Sequence, residues 1–170
     1  MTIVKSSDLV LALKPFTRGL AFALFEGSLS PIDWGIREIT GGKWNARCAA
    51  AARALIERLK PEILVLPDEA FPSRGQFGRA SRLLNLIANH AVGQSVDVRR
   101  HSRADVRECF ANVGAATRYE IAQTIAAQIP AFAHRLPPPR RNWDHEARRL
   151  HLFDAAALAM TCYASSTDED

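Results

Sequence analysis

Leu9 to Gly27 reads LVLALKPFTRGLAFALFEG, two apolar stretches of strand length joined by a turn, and no other part of the chain limits the fold as much. Leu9 to Leu13 is almost unbroken aliphatic, the pattern of a central strand buried on both faces. Pro15, Thr17 and Arg18 supply the turn, and Gly19 to Phe25 resumes an apolar strand. Lys14 is out of place at the end of the buried strand. An ammonium there is costly to desolvate unless it is paired or reaches water.

The remaining elements follow from periodicity and breakers. Pro31 to Ile39 alternates apolar and polar residues, which predicts a third strand antiparallel to the second. After Gly41-Gly42, Trp44, Cys48, Ala52, Leu55 and Leu59 recur at helical spacing up to Lys60-Pro61. Glu62 to Leu66, closed by Pro67, has the form of a short buried parallel strand lying beside the first. Phe71 to Ala91 starts as a loop with Pro72 and Gly75 and becomes a helix, and Ser95 to Arg100 alternates as an edge strand should. Ser102 and Thr117 are side-chain caps of two further helices, each with an acid three residues on, Asp105 and Glu120. Pro130 to Asn142, with PPPRR, reads as a stiff extended segment before a last helix from about Trp143 to Ala164. Right-handed crossovers then give a mixed five-stranded sheet in the order 3-2-1-4-5 with helices on both faces. That is an α/β fold of the ribonuclease H-like architecture.

With 170 residues and 48% hydrophobic content, the chain suits one well-filled core, so a single domain over 1–170 is expected, with a short acidic tail at 165–170. No apolar run approaches a membrane span, and MTIVKSSD lacks the form of a signal peptide, so a cytoplasmic protein is expected. Cys48, Cys109 and Cys162 are far apart, lack metal-ligand or disulfide spacing, and read as buried thiols. The net charge of +4 is unevenly spread: from Phe71 to Arg149 there are 13 Arg and no Lys against 6 acids. Arginine forks suit phosphate, which points to nucleic acid, although arginine-rich helices also serve as plain solvated faces.

In the last helix His151, Asp154 and Leu158 fall at i, i+3 and i+7 and share one face. Asp154 is a carboxylate inside an apolar stripe, FDAAALAM, and needs either a metal or a partner, with Arg148 or Arg149 as local candidates for an ordinary ion pair. His101 and His134 have no spaced partners and read as surface residues, and Trp143 reads as an anchor for the last helix.

LALKPFTRGLAFALFEG resembles the first hairpin of RuvC-type Holliday-junction resolvases, and PEILVLPDEAF their second catalytic strand. SRADVRECFANVGAATRYEIAQTIA resembles their run of basic helix, glycine and second helix, and HLFDAAALAMTCY their closing helix. The similarity spans almost the whole chain in order. It implies an endonuclease fold that acts on branched DNA with two divalent ions, Mg²⁺ or Mn²⁺, held by acids of the first strand, fourth strand and last helix. It also implies a homodimer.

Carried over position by position, the last-helix pair falls on His151 and Asp154, the first-strand aspartate on Lys14, and the fourth-strand glutamate on Pro67, followed by Asp68 and Glu69. A lysine where an acid bridges both metals repels them by several kcal/mol in a poorly screened pocket. The expectation is therefore a degenerate nuclease site in which Lys14 pairs with Asp154 or Asp68, on a protein that still binds nucleic acid. Arg99, Arg100, Arg103 and Arg107 around the edge strand and next helix, Arg74 and Arg79 before them, and Arg118, Arg140 and Arg141 after them are the candidate phosphate contacts. Two alternatives stay open. One is an active Mg²⁺- or Mn²⁺-dependent endonuclease using His151, Asp154 and Asp68 or Glu69; the other is a protein-interaction module on the same fold.

Overall fold

The computed structural model describes residues 3–68, 76–139 and 147–167. β1 (Leu9–Phe16), β2 (Gly19–Glu26) and β3 (Pro31–Glu38) form an antiparallel meander, and β4 (Ile63–Pro67) and β5 (Asp97–His101) extend it in parallel, giving the order β3-β2-β1-β4-β5. This is the ribonuclease H-like sheet expected from the pattern of elements. The helices are α1 (Trp44–Leu59), α2 (Gln76–Gly93), α3 (Arg103–Ala111), α4 (Arg118–Gln128), α5 (Pro130–Ala133) and α6 (Arg149–Thr167).

β1 is flanked on both edges and covered on both faces, so its side chains divide by the strand period between two cores. Val10 and Ala12 face a core built with Phe25, Val65, Phe132, Phe153 and the small residues of α6. Leu11 and Leu13 face the other, with Leu20, Leu64, Leu55 of α1 and Leu83 of α2. α6 can lie close on the sheet because Ala155, Ala156, Ala157 and Ala159 are all buried. Tyr163 closes this face: its hydroxyl accepts from the Gly27 N–H at 2.9 Å and lies 2.7 and 3.1 Å from the carbonyls of Asp8 and Phe25, while burial pushes the phenol up to about 12.

Several boundaries differ from the sequence reading. β1 does not stop at Leu13 but continues through Lys14 and Pro15 to Phe16, leaving Thr17-Arg18 as the turn. Pro15 is tolerated because β4 pairs with β1 only over Val10–Ala12, so beyond it the strand has a neighbour on one side only. Gly19 is required at the start of β2, since a Cβ there would stand 2.2 Å from the Arg37 carbonyl oxygen. Pro130 to Ala133 is a helical turn rather than extended chain, with Pro130 at a helix start where its missing N–H costs nothing. α6 is helical from Arg149, Ala147 and Arg148 forming a turn before it; Trp143 lies outside the described residues. Both expected capping boxes are present, Ser102 with Asp105 and Thr117 with Glu120.

Replacing Tyr163 by Phe leaves the Gly27 N–H without its hydroxyl acceptor in a partly buried place. The expected cost is about 1–3 kcal/mol of unfolding free energy, read as a lower urea midpoint at unchanged m-value.

Candidate functional site

The strand period that buries Val10 and Ala12 under α6 also carries Lys14 and Phe16 to that side, just where β4 has stopped pairing with β1. There the carboxyl ends of β4 and β5, the starts of α3 and α4 and the first turns of α6 enclose a cavity of about 360 Å³. Lys14, Asp68, His151 and Asp154 all line it, as do Arg103, Arg107 and Arg118. Elements far apart in sequence thus bring Asp68, Asp154 and part of the expected arginines to one place. Glu69, Arg74, Arg140 and Arg141 lie outside the described residues.

Asp154 faces the cavity from α6, and Arg118, the first residue of α4, holds it in a two-point grip. Arg118 Nε donates to Oδ1 at 2.9 Å and Nη2 to Oδ2 at 2.5 Å, the fork geometry that makes arginine–carboxylate pairs strong. Nη2 also lies 3.1 Å from His151 Nδ1, and the imidazole stacks on Phe16 with ring centroids 4.0 Å apart and planes 6° from parallel. The two side chains of the pair keep 32% and 22% of their surface, so it is half-buried and not sealed. Burial by itself would raise the Asp154 carboxyl, but the neighbouring His151, the hydrogen bonds from Arg118 and the charges of Arg118 and Lys14 outweigh it and hold the group below the usual aspartate range. The charge of Lys14 favours the ionised Asp154, but the bidentate partner is Arg118, one of the expected phosphate contacts. The local alternative fails, because Arg148 pairs with Glu38 on β3 instead.

The other candidates separate. Asp68 follows β4, its N–H donating to the His101 carbonyl at 2.8 Å. Pro67 lines the cavity at the position carried over from the fourth-strand glutamate. Arg103 and Arg107 are exposed on α3 at the cavity's edge. Arg99 turns toward the α6 face and bonds Asp97, whereas Arg100 points to the opposite face and bonds Asn85 of α2 at 2.9 Å, so the two neighbours on β5 cannot serve one surface. Arg79 is exposed on α2, away from the cavity.

His101 corrects the sequence reading. It is not a surface residue: it lines the cavity at the end of β5, its Nε2 is buried, and no described residue hydrogen-bonds that atom. Burial lowers its pKa and Arg99 lowers it further, against the opposing pull of Asp105. Only its position as the last residue of an edge strand could have signalled this. His134 is exposed, as expected.

The described residues do not fit a divalent ion. Asp154 has both oxygens engaged by a guanidinium, an ammonium stands on β1, and among the described residues no three His, Cys, Asp or Glu side chains form a group able to hold a metal.

No protein-family model matches the chain, and no curated protein sequence matches it. Solved structures do. RuvC of Thermus thermophilus, in complex with a Holliday junction substrate, superposes with a TM-score of 0.66 at 18% identity, over 93% of this chain and 95% of that one. The yeast mitochondrial Holliday junction resolvase gives 0.67 at 12% identity, over 98% and 83%, and the fowlpox virus resolvase 0.52 at 15%, over 95% and 98%. The chain shares the resolvase fold along nearly its whole length.

Arg118→Ala leaves Asp154 as a poorly compensated half-buried charge and is expected to cost about 2–4 kcal/mol at neutral pH. Because the folded carboxyl sits below its unfolded value, the stability it contributes is present above about pH 4 and is lost as pH falls through the folded value. Denaturation curves of the two proteins should therefore converge in acid, and a gap that persists there would mean that Arg118 acts through packing alone.

Proposed function

We propose that the chain binds nucleic acid, branched DNA foremost, on a ribonuclease H-like scaffold with weak or no nuclease activity. The observation that carries this reading is the Arg118–Asp154 pair, with Lys14 on β1, at the place where the resemblance puts metal-holding acids. The cavity, whose described residues form no metal-binding set, carries a cationic edge in Arg103 and Arg107. Phosphate contacts of this kind supply affinity without reading sequence.

The shared fold supports the choice of DNA, since one of the similar proteins is seen with a Holliday junction. A single cytoplasmic domain is part of the proposal, and a homodimer is part of it by resemblance. No described helix is long and apolar enough to cross a membrane.

The test is incubation of the purified protein with a four-way junction and with a linear duplex, each with Mg²⁺, Mn²⁺ or chelator, reading retention and cleavage together. Retention without cutting is expected, with affinity falling steeply as salt rises and the log–log salt slope smaller by about one for each of Arg103→Ala and Arg107→Ala. Metal-dependent cutting by the unmodified protein would replace this reading with an active endonuclease using His151, Asp154 and Asp68 or Glu69. Neither retention nor cutting would leave a protein-interaction module.

A further inference from the structure

Two features of the cavity go together. Its one carboxylate on α6 is taken up by Arg118, and among the described residues its remaining charged lining is dominated by Lys14, Arg103 and Arg107 against Asp68. A pocket built to collect divalent cations has the reverse balance, acids in excess of bases. Apolar side chains also line it, Val106 on α3, Ile121 on α4 and Leu158 on α6. Its volume of about 360 Å³ falls in the range of small-ligand sites.

The geometry points to a cavity that takes the phosphate of one nucleotide directly, with Arg118 as its resident cation in place of a divalent ion. Asp154 does not bind the ligand. It neutralises and aims Arg118, whose Nη2 is fixed between Oδ2 and His151 Nδ1 while the Phe16 ring holds the imidazole in place. Lys14, Arg103 and Arg107 supply further cations for the phosphate oxygens, and the apolar side chains receive the sugar. This rests on the nucleic-acid-binding reading above and adds to it that the contact needs no metal.

The roles of Asp154 in the two kinds of site are opposite, and that makes the inference testable. If Asp154 held a metal that in turn held the phosphate, Asp154→Asn would abolish binding. Here the substitution keeps the shape, removes the negative charge competing for Arg118, and should strengthen binding several-fold.

The experiment titrates the full chain, in excess chelator, with inorganic phosphate and separately with a thymidine dinucleotide, following the amide signals of Thr117 and Ala157 by NMR. Saturable shifts are expected with the dinucleotide, tighter in Asp154→Asn and weaker by about tenfold or more in Arg107→Ala; the latter residue is exposed, so its loss leaves the fold intact. A response to inorganic phosphate alone would assign the site to a terminal phosphate rather than a chain phosphodiester. Mn²⁺ added without chelator should broaden no cavity signal selectively. Weaker binding by Asp154→Asn, or selective broadening by sub-millimolar Mn²⁺, would overturn the inference. Junction retention in chelator, measured alongside, separates the two readings. Retention with no shift at Thr117 or Ala157 removes the cavity from the binding surface, whereas shifts without retention keep the phosphate site and remove the branched-DNA proposal.

Discussion

β1 has no solvent face from Val10 to Leu13, and the rest of the molecule is arranged around that fact. A strand paired on both edges and covered on both sides must hand alternate side chains to two separate cores, so helices are needed on both faces. α1 and α2 serve Leu11 and Leu13, and α6 with its alanines serves Val10 and Ala12. When β4 stops pairing after Ala12, the next residue on the α6 side is Lys14. Its ammonium meets a cavity instead of a core. A lysine one or two positions earlier on that side would have been buried against α6 at a cost of several kcal/mol.

α6 has the complementary difficulty. Its stripe of small apolar residues lets it lie on the sheet, and Asp154 interrupts that stripe with a charge. The cost of burying a carboxylate is offset only by close, well-directed donors, and a guanidinium fork is the best available match to two carboxylate oxygens. Arg118 supplies it from the first turn of α4, whose position is in turn set by the Thr117–Glu120 capping box. The ion pair is thus held from both ends by local backbone structure. Its consequence is chemical: a carboxylate with both oxygens on one arginine is a poor ligand for a metal.

The cationic character of the middle of the chain resolves into different roles once the residues are placed. Arg100 braces α2 through Asn85, Arg99 is tied to Asp97, and Arg118 to Asp154, whereas Arg103 and Arg107 reach the open edge of the cavity. Charge counted along the sequence overstated how many arginines could meet one partner, since strand neighbours point to opposite faces.

The sequence by itself determined the strand order, the two-sided burial of β1, both capping boxes and the sharing of one α6 face by His151 and Asp154. Each depends on spacing within a single element or on topological rules with few exceptions. Hidden from it were the partner of Asp154 and the inward place of His101. Local spacing nominated Arg148, which the turn before α6 directs to Glu38, while the true partner lies 36 residues away in sequence. The run of β1 through Pro15 was hidden for the same kind of reason, because a proline is harmless there only once β4 has stopped short of it. Periodicity reports which side of an element a residue faces; which residue of another element waits on that side is decided by packing, and only the tertiary structure brought Arg118, His151 and Phe16 around one carboxylate.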